Sequence, residues 1–110
     1  MAGKFELKLA KDGQFMFNLK AGNGQVILTS ELYKTKAAAE NGIESVRTHA
    51  PTAARYDLKT GESGKFYFNL KSSNGQIVGT SVMYASEEAR NTAVAETQAV
   101  AAAAGVVEDL

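Results

Sequence analysis

Cysteine is absent from this 110-residue chain, so no disulfide staples it and no thiolate site can hold a structural metal. Histidine occurs once, as His49, which leaves no partner of its own kind for a metal or an acid–base pair. The one proline is Pro51, so helices and strands elsewhere run without that interruption. Charge of one sign is lacking too: 12 basic residues balance 12 acidic ones, which argues against a global field suited to nucleic acid or anionic membranes. The longest apolar stretch, near Ala99 to Val107, is too short and too rich in alanine to span a bilayer. The opening MAGKFELK has no apolar core of a signal peptide. These absences lead to the expectation of a soluble cytoplasmic protein without cofactor, metal or membrane partner.

What is present is a repeat. Residues 13–33 read GQFMFNLKAGNGQVILTSELY and residues 64–84 read GKFYFNLKSSNGQIVGTSVMY, at an offset of 51 without a gap and with 12 of 21 positions identical. A unit of under about 60 residues has difficulty burying enough apolar surface to fold alone. Two copies are also too few for an open solenoid. The expectation is a single domain, residues 1–110, in which two pseudo-twofold repeats (about 3–53 and 54–110) share one core.

Within each copy the pattern alternates with period two and then changes to helical spacing. Phe5, Leu7 and Leu9 alternate with Lys4, Glu6 and Lys8. Lys11-Asp12-Gly13 signals a turn, and Phe15, Phe17 and Leu19 then alternate with Met16, Asn18 and Lys20. Asn23-Gly24 marks a hairpin leading into Val26-Ile27-Leu28. Thr35 caps a helix over about Lys36 to Thr48 with Ala39, Ile43, Val46 and Ala50 inward, stopped by Pro51. The second copy repeats this order: a strand over Arg55 to Lys59, a strand through Phe66, Phe68 and Leu70, the Asn74-Gly75 turn, Ile77-Val78, and a helix capped by Ser86 running to about Ala104. The tail Val106 to Leu110 is β-competent. The order βββα-βββα-β gives an α+β fold: one antiparallel sheet with two alanine-bearing helices on one face.

The doubled FxFNLK, NGQ and TSxxY segments resemble the YegP-like family of small bacterial proteins of unknown function. The matching residues are Phe15, Phe17, Asn18, Leu19, Lys20, Asn23, Gly24, Gln25, Thr29, Ser30 and Tyr33, with Phe66, Phe68, Asn69, Leu70, Lys71, Asn74, Gly75, Gln76, Thr80, Ser81 and Tyr84 in the second copy. The resemblance implies a β3-αβ motif present twice in a single sheet, with the strand after each helix exchanged between motifs. It brings no activity, substrate or cofactor.

No nucleophile elbow, phosphate-binding loop or zinc-protease motif occurs. His49 reads as a helix-end residue near the dipole's negative pole. Thr29-Ser30-x-x-Tyr33 and Thr80-Ser81-x-x-Tyr84 allow two readings: hydroxyls that close a strand, or a hydroxyl-lined ligand or catalytic site at the strand ends. The sheet face away from the helices is the stronger binding surface. It would carry Lys4, Glu6, Lys8, Met16, Asn18, Lys20, Arg55, Asp57, Lys59, Tyr67, Asn69 and Lys71, with positive charge in excess. Lys4, Lys8, Asn18, Lys20, Arg55, Lys59, Tyr67, Asn69 and Lys71 are the residues expected to meet a ligand there. The expected partner is an anionic ligand or a protein, with RNA or single-stranded DNA as the alternative. Asn18 and Asn69 would bond to each other if their strands were neighbours. A non-enzymatic binding or interaction module, monomeric and internally dimeric, is the reading that the residues favour.

Overall fold

The computed structural model describes residues 3–10 and 12–110; Lys11 of the first turn signal lies outside them. The strands are β1 (Lys4–Leu9), β2 (Phe15–Lys20), β3 (Val26–Ser30), β4 (Tyr56–Thr60), β5 (Phe66–Lys71), β6 (Ile77–Ser81) and β7 (Gly105–Asp109). The helices are α1 (Lys36–His49) and α2 (Glu87–Val100). The strands form one sheet in the order β4-β5-β6-β3-β2-β1-β7. The two repeats meet where β3 pairs with β6, and Thr29 faces Thr80 at the centre of that pairing.

Four hairpin turns place a glycine at positive φ: Gly13, Gly24, Gly64 and Gly75, at 84°, 87°, 81° and 85°. A side chain is disfavoured in that region. At the two Asn-Gly turns the asparagine Oδ1 accepts the N–H two residues on, Gln25 at 3.0 Å and Gln76 at 3.1 Å, which holds the turn closed. Thr35 and Ser86 cap their helices as expected, each hydroxyl accepting the N–H three residues on at 3.0 and 3.1 Å.

The helices cross the sheet rather than return along a strand. Counting the antiparallel pairings from β3 to β4 shows that these two strands run in opposite senses, so the chain leaves β3 and enters β4 at the same end of the sheet. Between those points α1 packs over β2, β6 and β5. As a result β4 joins the second repeat's strands and β7 joins the first repeat's β1. This is the exchange that the resemblance implied.

The expectation of a wholly antiparallel sheet is corrected at one edge: β7 runs parallel to β1. A strand that follows a helical crossover is free to enter in either sense, whereas tight hairpins enforce the antiparallel one. Three boundaries also move. Arg55 lies in a short 3-10 turn, Ala53–Arg55, and β4 begins at Tyr56. The first helix extends to His49, and α2 ends at Val100 with the tighter turn Ala101–Ala103 after it.

The core lies between the sheet and the helices. Phe5, Leu7, Phe17, Leu19, Leu28, Phe68 and Leu70 face Ala39, Ile43, Val46 and Ala50 of the first repeat and Ala93 and Val100 of the second. Two arginines close it at the rim. Arg47 lies 5.3 Å from the Phe5 ring and donates to the Ala104 carbonyl at 2.6 Å. Arg90, itself buried, lies 5.5 Å from the Phe66 ring and donates to the Lys59 carbonyl at 3.3 Å. Both combine an apolar seat with a bonded guanidinium.

Candidate functional site on the open sheet face

On the face away from the helices, cross-strand pairing aligns one residue from each of six strands. The row is Glu6, Asn18, Thr29, Thr80, Asn69, Asp57, and it passes through the pseudo-twofold centre. Thr29 donates to Asn18 Oδ1 at 3.0 Å, and Thr80 donates to Asn69 Oδ1 at 2.8 Å. Asn18 and Asn69 are therefore not neighbours. Strands β3 and β6 stand between them, and each amide bonds a threonine of its own repeat instead.

The two ends of the row are carboxylates clamped by lysines. Glu6 holds Lys20 at 2.8 Å and Lys8 at 3.3 Å. Asp57 holds Lys71 and Lys59, both at 3.2 Å. The Lys20 bond, joined by Lys8, keeps the Glu6 carboxyl below the ordinary carboxylate value, and the Lys71 and Lys59 bonds do the same to Asp57. Each carboxylate thus fixes two ammonium groups over the sheet. Lys4 stands exposed at the first end of β1, opposite Lys20. Tyr67 is half-buried opposite Lys59, and its counterpart in the first repeat is Met16, opposite Lys8. Arg55 precedes β4, so of the expected ligand residues it is the one that the sheet does not carry.

The hydroxyls of the TSxxY segments sit elsewhere. Ser30 Oγ accepts the Phe17 N–H at 2.9 Å and donates to the Glu31 carbonyl at 2.8 Å. Ser81 does the same for Phe68 and Val82, at 2.9 and 2.8 Å. Each serine thereby fills a gap in the ladder where its strand bends away, and both side chains are buried. Tyr33 and Tyr84 continue the pattern through paired backbone bonds to Phe15 and Phe66. The four groups hold backbone in place and do not converge on a shared hollow. His49 is likewise structural: Nδ1 donates to the Ser45 carbonyl at 2.8 Å, which leaves Nε2 to accept the Ser73 N–H at 3.2 Å. It ties the end of α1 to a turn of the other repeat. Among the described residues no group of metal-ligating side chains occurs, and no helix is long and apolar enough to cross a membrane.

Comparison with known proteins agrees with this architecture. The model of a domain of unknown function, DUF1508, matches residues 10–57 and again 62–108, one match for each repeat. The UPF0339 protein YegP of Shigella flexneri is 58% identical over 99 residues, which cover 90% of each chain. A UPF0339 protein of Pseudomonas aeruginosa is 49% identical over 109 residues, covering 99% of each. The solution structure of YegP from Escherichia coli, described as a protein of unknown function, superposes with a TM-score of 0.94 at 52% identity, covering 99% of this chain and 94% of that one. A UPF0339 protein of Shewanella oneidensis superposes with a TM-score of 0.92 at 47% identity, covering 98% and 92%. With both repeats matched and relatives of this identity along nearly its whole length, the chain belongs to the YegP-like UPF0339 family.

Proposed function

We propose that the protein is a non-enzymatic binding module whose working surface is the open sheet face, and that its partner presents anionic groups, either on a protein surface or on a small polyanion. The carrying observation is the separation of charge in a neutral chain. The sheet face holds Lys4, Lys8, Lys20, Lys59 and Lys71 against Glu6, Asp57 and Asp109, which β7 places beside Lys8, while the helices carry Glu40, Glu44, Glu87, Glu88 and Glu96 against Lys36, Arg47 and Arg90. Lysines already held by a carboxylate lose less rotamer freedom on binding than free ones do. The Asn–Thr strip between the two clamps adds no further charge, but Asn18 and Asn69, expected among the ligand residues, are buried there and bonded to Thr29 and Thr80, so the lysines carry the contact.

This balance favours a protein or small polyanion over single-stranded nucleic acid. Strand binding draws on repeated aromatic platforms, and here Tyr67 has a methionine as its symmetry mate.

Amide NMR shifts recorded against inorganic polyphosphate, an acidic peptide and a mixed oligonucleotide test the reading. The expected result is saturable shifts on β1, β2, β4 and β5, weakened by salt and by Lys20→Gln with Lys71→Gln. Shifts confined to the helices, or none with any probe at low salt, would sink it. Preference for the oligonucleotide with a steep salt slope would transfer the face to nucleic acid.

A further inference from the structure

The two repeats differ where their tyrosines meet their helices. In the first, the Tyr33 ring lies parallel to that of Phe17, with centroids 6.3 Å apart and planes 8° apart. Its hydroxyl rests on Gly42: a Cβ there would stand 2.5 Å from Tyr33 Oη and 2.8 Å from Cζ. Glycine at position 42 is therefore what makes room for the ring. The offset of 51 places Ala93 at the matching position of α2, and Ala93 carries the very carbon that this pose excludes.

Tyr84 accordingly cannot repeat the seat of Tyr33. The Phe5–Phe17 contact recurs as Tyr56–Phe68, at 5.8 and 5.4 Å, but among the described residues the Phe17–Tyr33 stack has no Phe68–Tyr84 counterpart. A cleft of about 420 Å³ opens between α2 and the ends of β3 and β6, with Tyr84 as one wall. Its size falls within the usual range for small-molecule sites, roughly 300–1,000 Å³. It lies on the helix side, so it is independent of the open sheet face.

Its walls divide in chemistry: Val26, Ile27, Val82, Ala89 and Ala93 are apolar, and Gln25, Thr92 and the Glu96 carboxylate, with Tyr84, make the polar side. Among the described residues Glu96 forms no ion pair, and no lysine or arginine lines the cleft. A cleft with an apolar side, one exposed carboxylate without an ion-pair partner and an aromatic wall suits a cation with an apolar body over an anion. We propose that this cleft binds a small alkyl- or arylammonium group, the body against Val26, Val82 and Ala93 and the ammonium between Glu96 and Tyr84.

The probes are phenethylammonium and hexylammonium, with the alcohol and carboxylate of matching length as controls, titrated into the full chain and followed by amide NMR. Saturable shifts at Val26, Val82, Ala89 and Ala93 are expected with the amines. Glu96→Gln, an exposed change on a helix surface, should weaken amine binding by roughly two- to fivefold while leaving the spectrum folded. Ala93→Gly should let Tyr84 settle as Tyr33 does, closing the cleft and abolishing binding; the same variant should show new ring-current shifts near Phe68. The proposal is overturned if the amines give no saturable shifts, if alcohol or carboxylate binds as well, or if Glu96→Gln binds amines unchanged. Should Ala93→Gly fail to fold, the Glu96→Gln result and the ligand series still decide the matter.

Discussion

The side chain of Leu28 occupies the space that a side chain at position 79 would need. The two positions are related by the repeat offset and lie close together where β3 meets β6. A Cβ on Gly79 would stand 2.7 Å from both Cγ and Cδ2 of Leu28. Two leucines cannot both sit there, so one repeat supplies the side chain and the other the room. Gly79→Ala is therefore expected to destabilise by overpacking, by about 1–3 kcal/mol. Leu28→Ala leaves a cavity instead, on the order of 2–5 kcal/mol. The pair Leu28→Ala with Gly79→Ala should recover part of both losses, a non-additivity that urea denaturation of the four proteins would read directly. Independent, additive effects would refute the shared site.

A second expectation concerns Ser30 and Ser81. Each hydroxyl accepts a buried backbone N–H, from Phe17 and Phe68, that no strand partner reaches. Alanine at either position strands that donor, at a cost of about 1–3 kcal/mol. Threonine keeps the hydroxyl and should retain more stability than alanine. If the hydroxyls served catalysis rather than the ladder, alanine would leave the denaturation midpoint untouched.

How much of this was open to sequence reading depends on what each residue encodes locally. The hairpins were legible because Asn23-Gly24 and Asn74-Gly75 act within four residues, and the caps Thr35 and Ser86 because they act within three. The helix-facing set from Phe5 to Leu70 followed from alternation. The parallel sense of β7 did not, because alternation is the same in both directions. The Asn18–Asn69 pairing failed for a related reason: the copies are joined through β3 and β6, and no local pattern says which strands of a repeat form the seam. The cleft beside Tyr84 left a signal, Gly42 against Ala93, but its meaning requires knowing that Tyr33 lies across the helix at that point. The lysine-bearing face was legible as a list of residues. That Glu6 and Asp57 would each gather two of those lysines needed the register.

Acid should weaken the protein through those same carboxylates. Lys20 and Lys8 hold the Glu6 carboxyl below its ordinary value of 4.5, and Lys71 and Lys59 hold Asp57 below 3.8. A depressed folded-state pKa means that the unfolded chain takes up protons first. The stabilisation is complete above those ordinary values and is lost as pH falls past them toward the lower folded-state ones. Asp12, lowered by its bonds from the Gln14 backbone and side chain, adds to the same limb. Denaturation midpoints measured between pH 6 and 3 should therefore fall, and Glu6→Gln with Asp57→Asn should flatten the fall without removing Asp12's share. An unchanged slope in the double variant would show that the clamps contribute nothing to folding.

The two outer edges of the repeats should differ in protection. Because Phe15 and Phe17 direct their N–H groups toward Tyr33 and Ser30, the N–H groups of Phe5, Leu7 and Leu9 point outward on β1, where β7 lies beside them. By the same alternation Tyr56, Leu58 and Thr60 point outward on β4, which ends the sheet. The contrast shows in matched side chains: Leu7 is 0% exposed and Leu58 is 49% exposed. Leu58 and Thr60 amides should exchange with solvent far faster than that of Leu7. Truncation after Ala104 removes β7 and should bring Leu7 toward the exposure of Leu58. Its lost burial alone amounts to at least about 1 kcal/mol, and exchange at Leu7 should rise to the rate of Leu58. Leu58→Thr, which removes an already half-exposed side chain, should cost much less than Leu7→Thr. Equal protection of the two edges in the intact chain would mean that something covers β4 in solution, and dilution would then reveal whether that cover is a second copy.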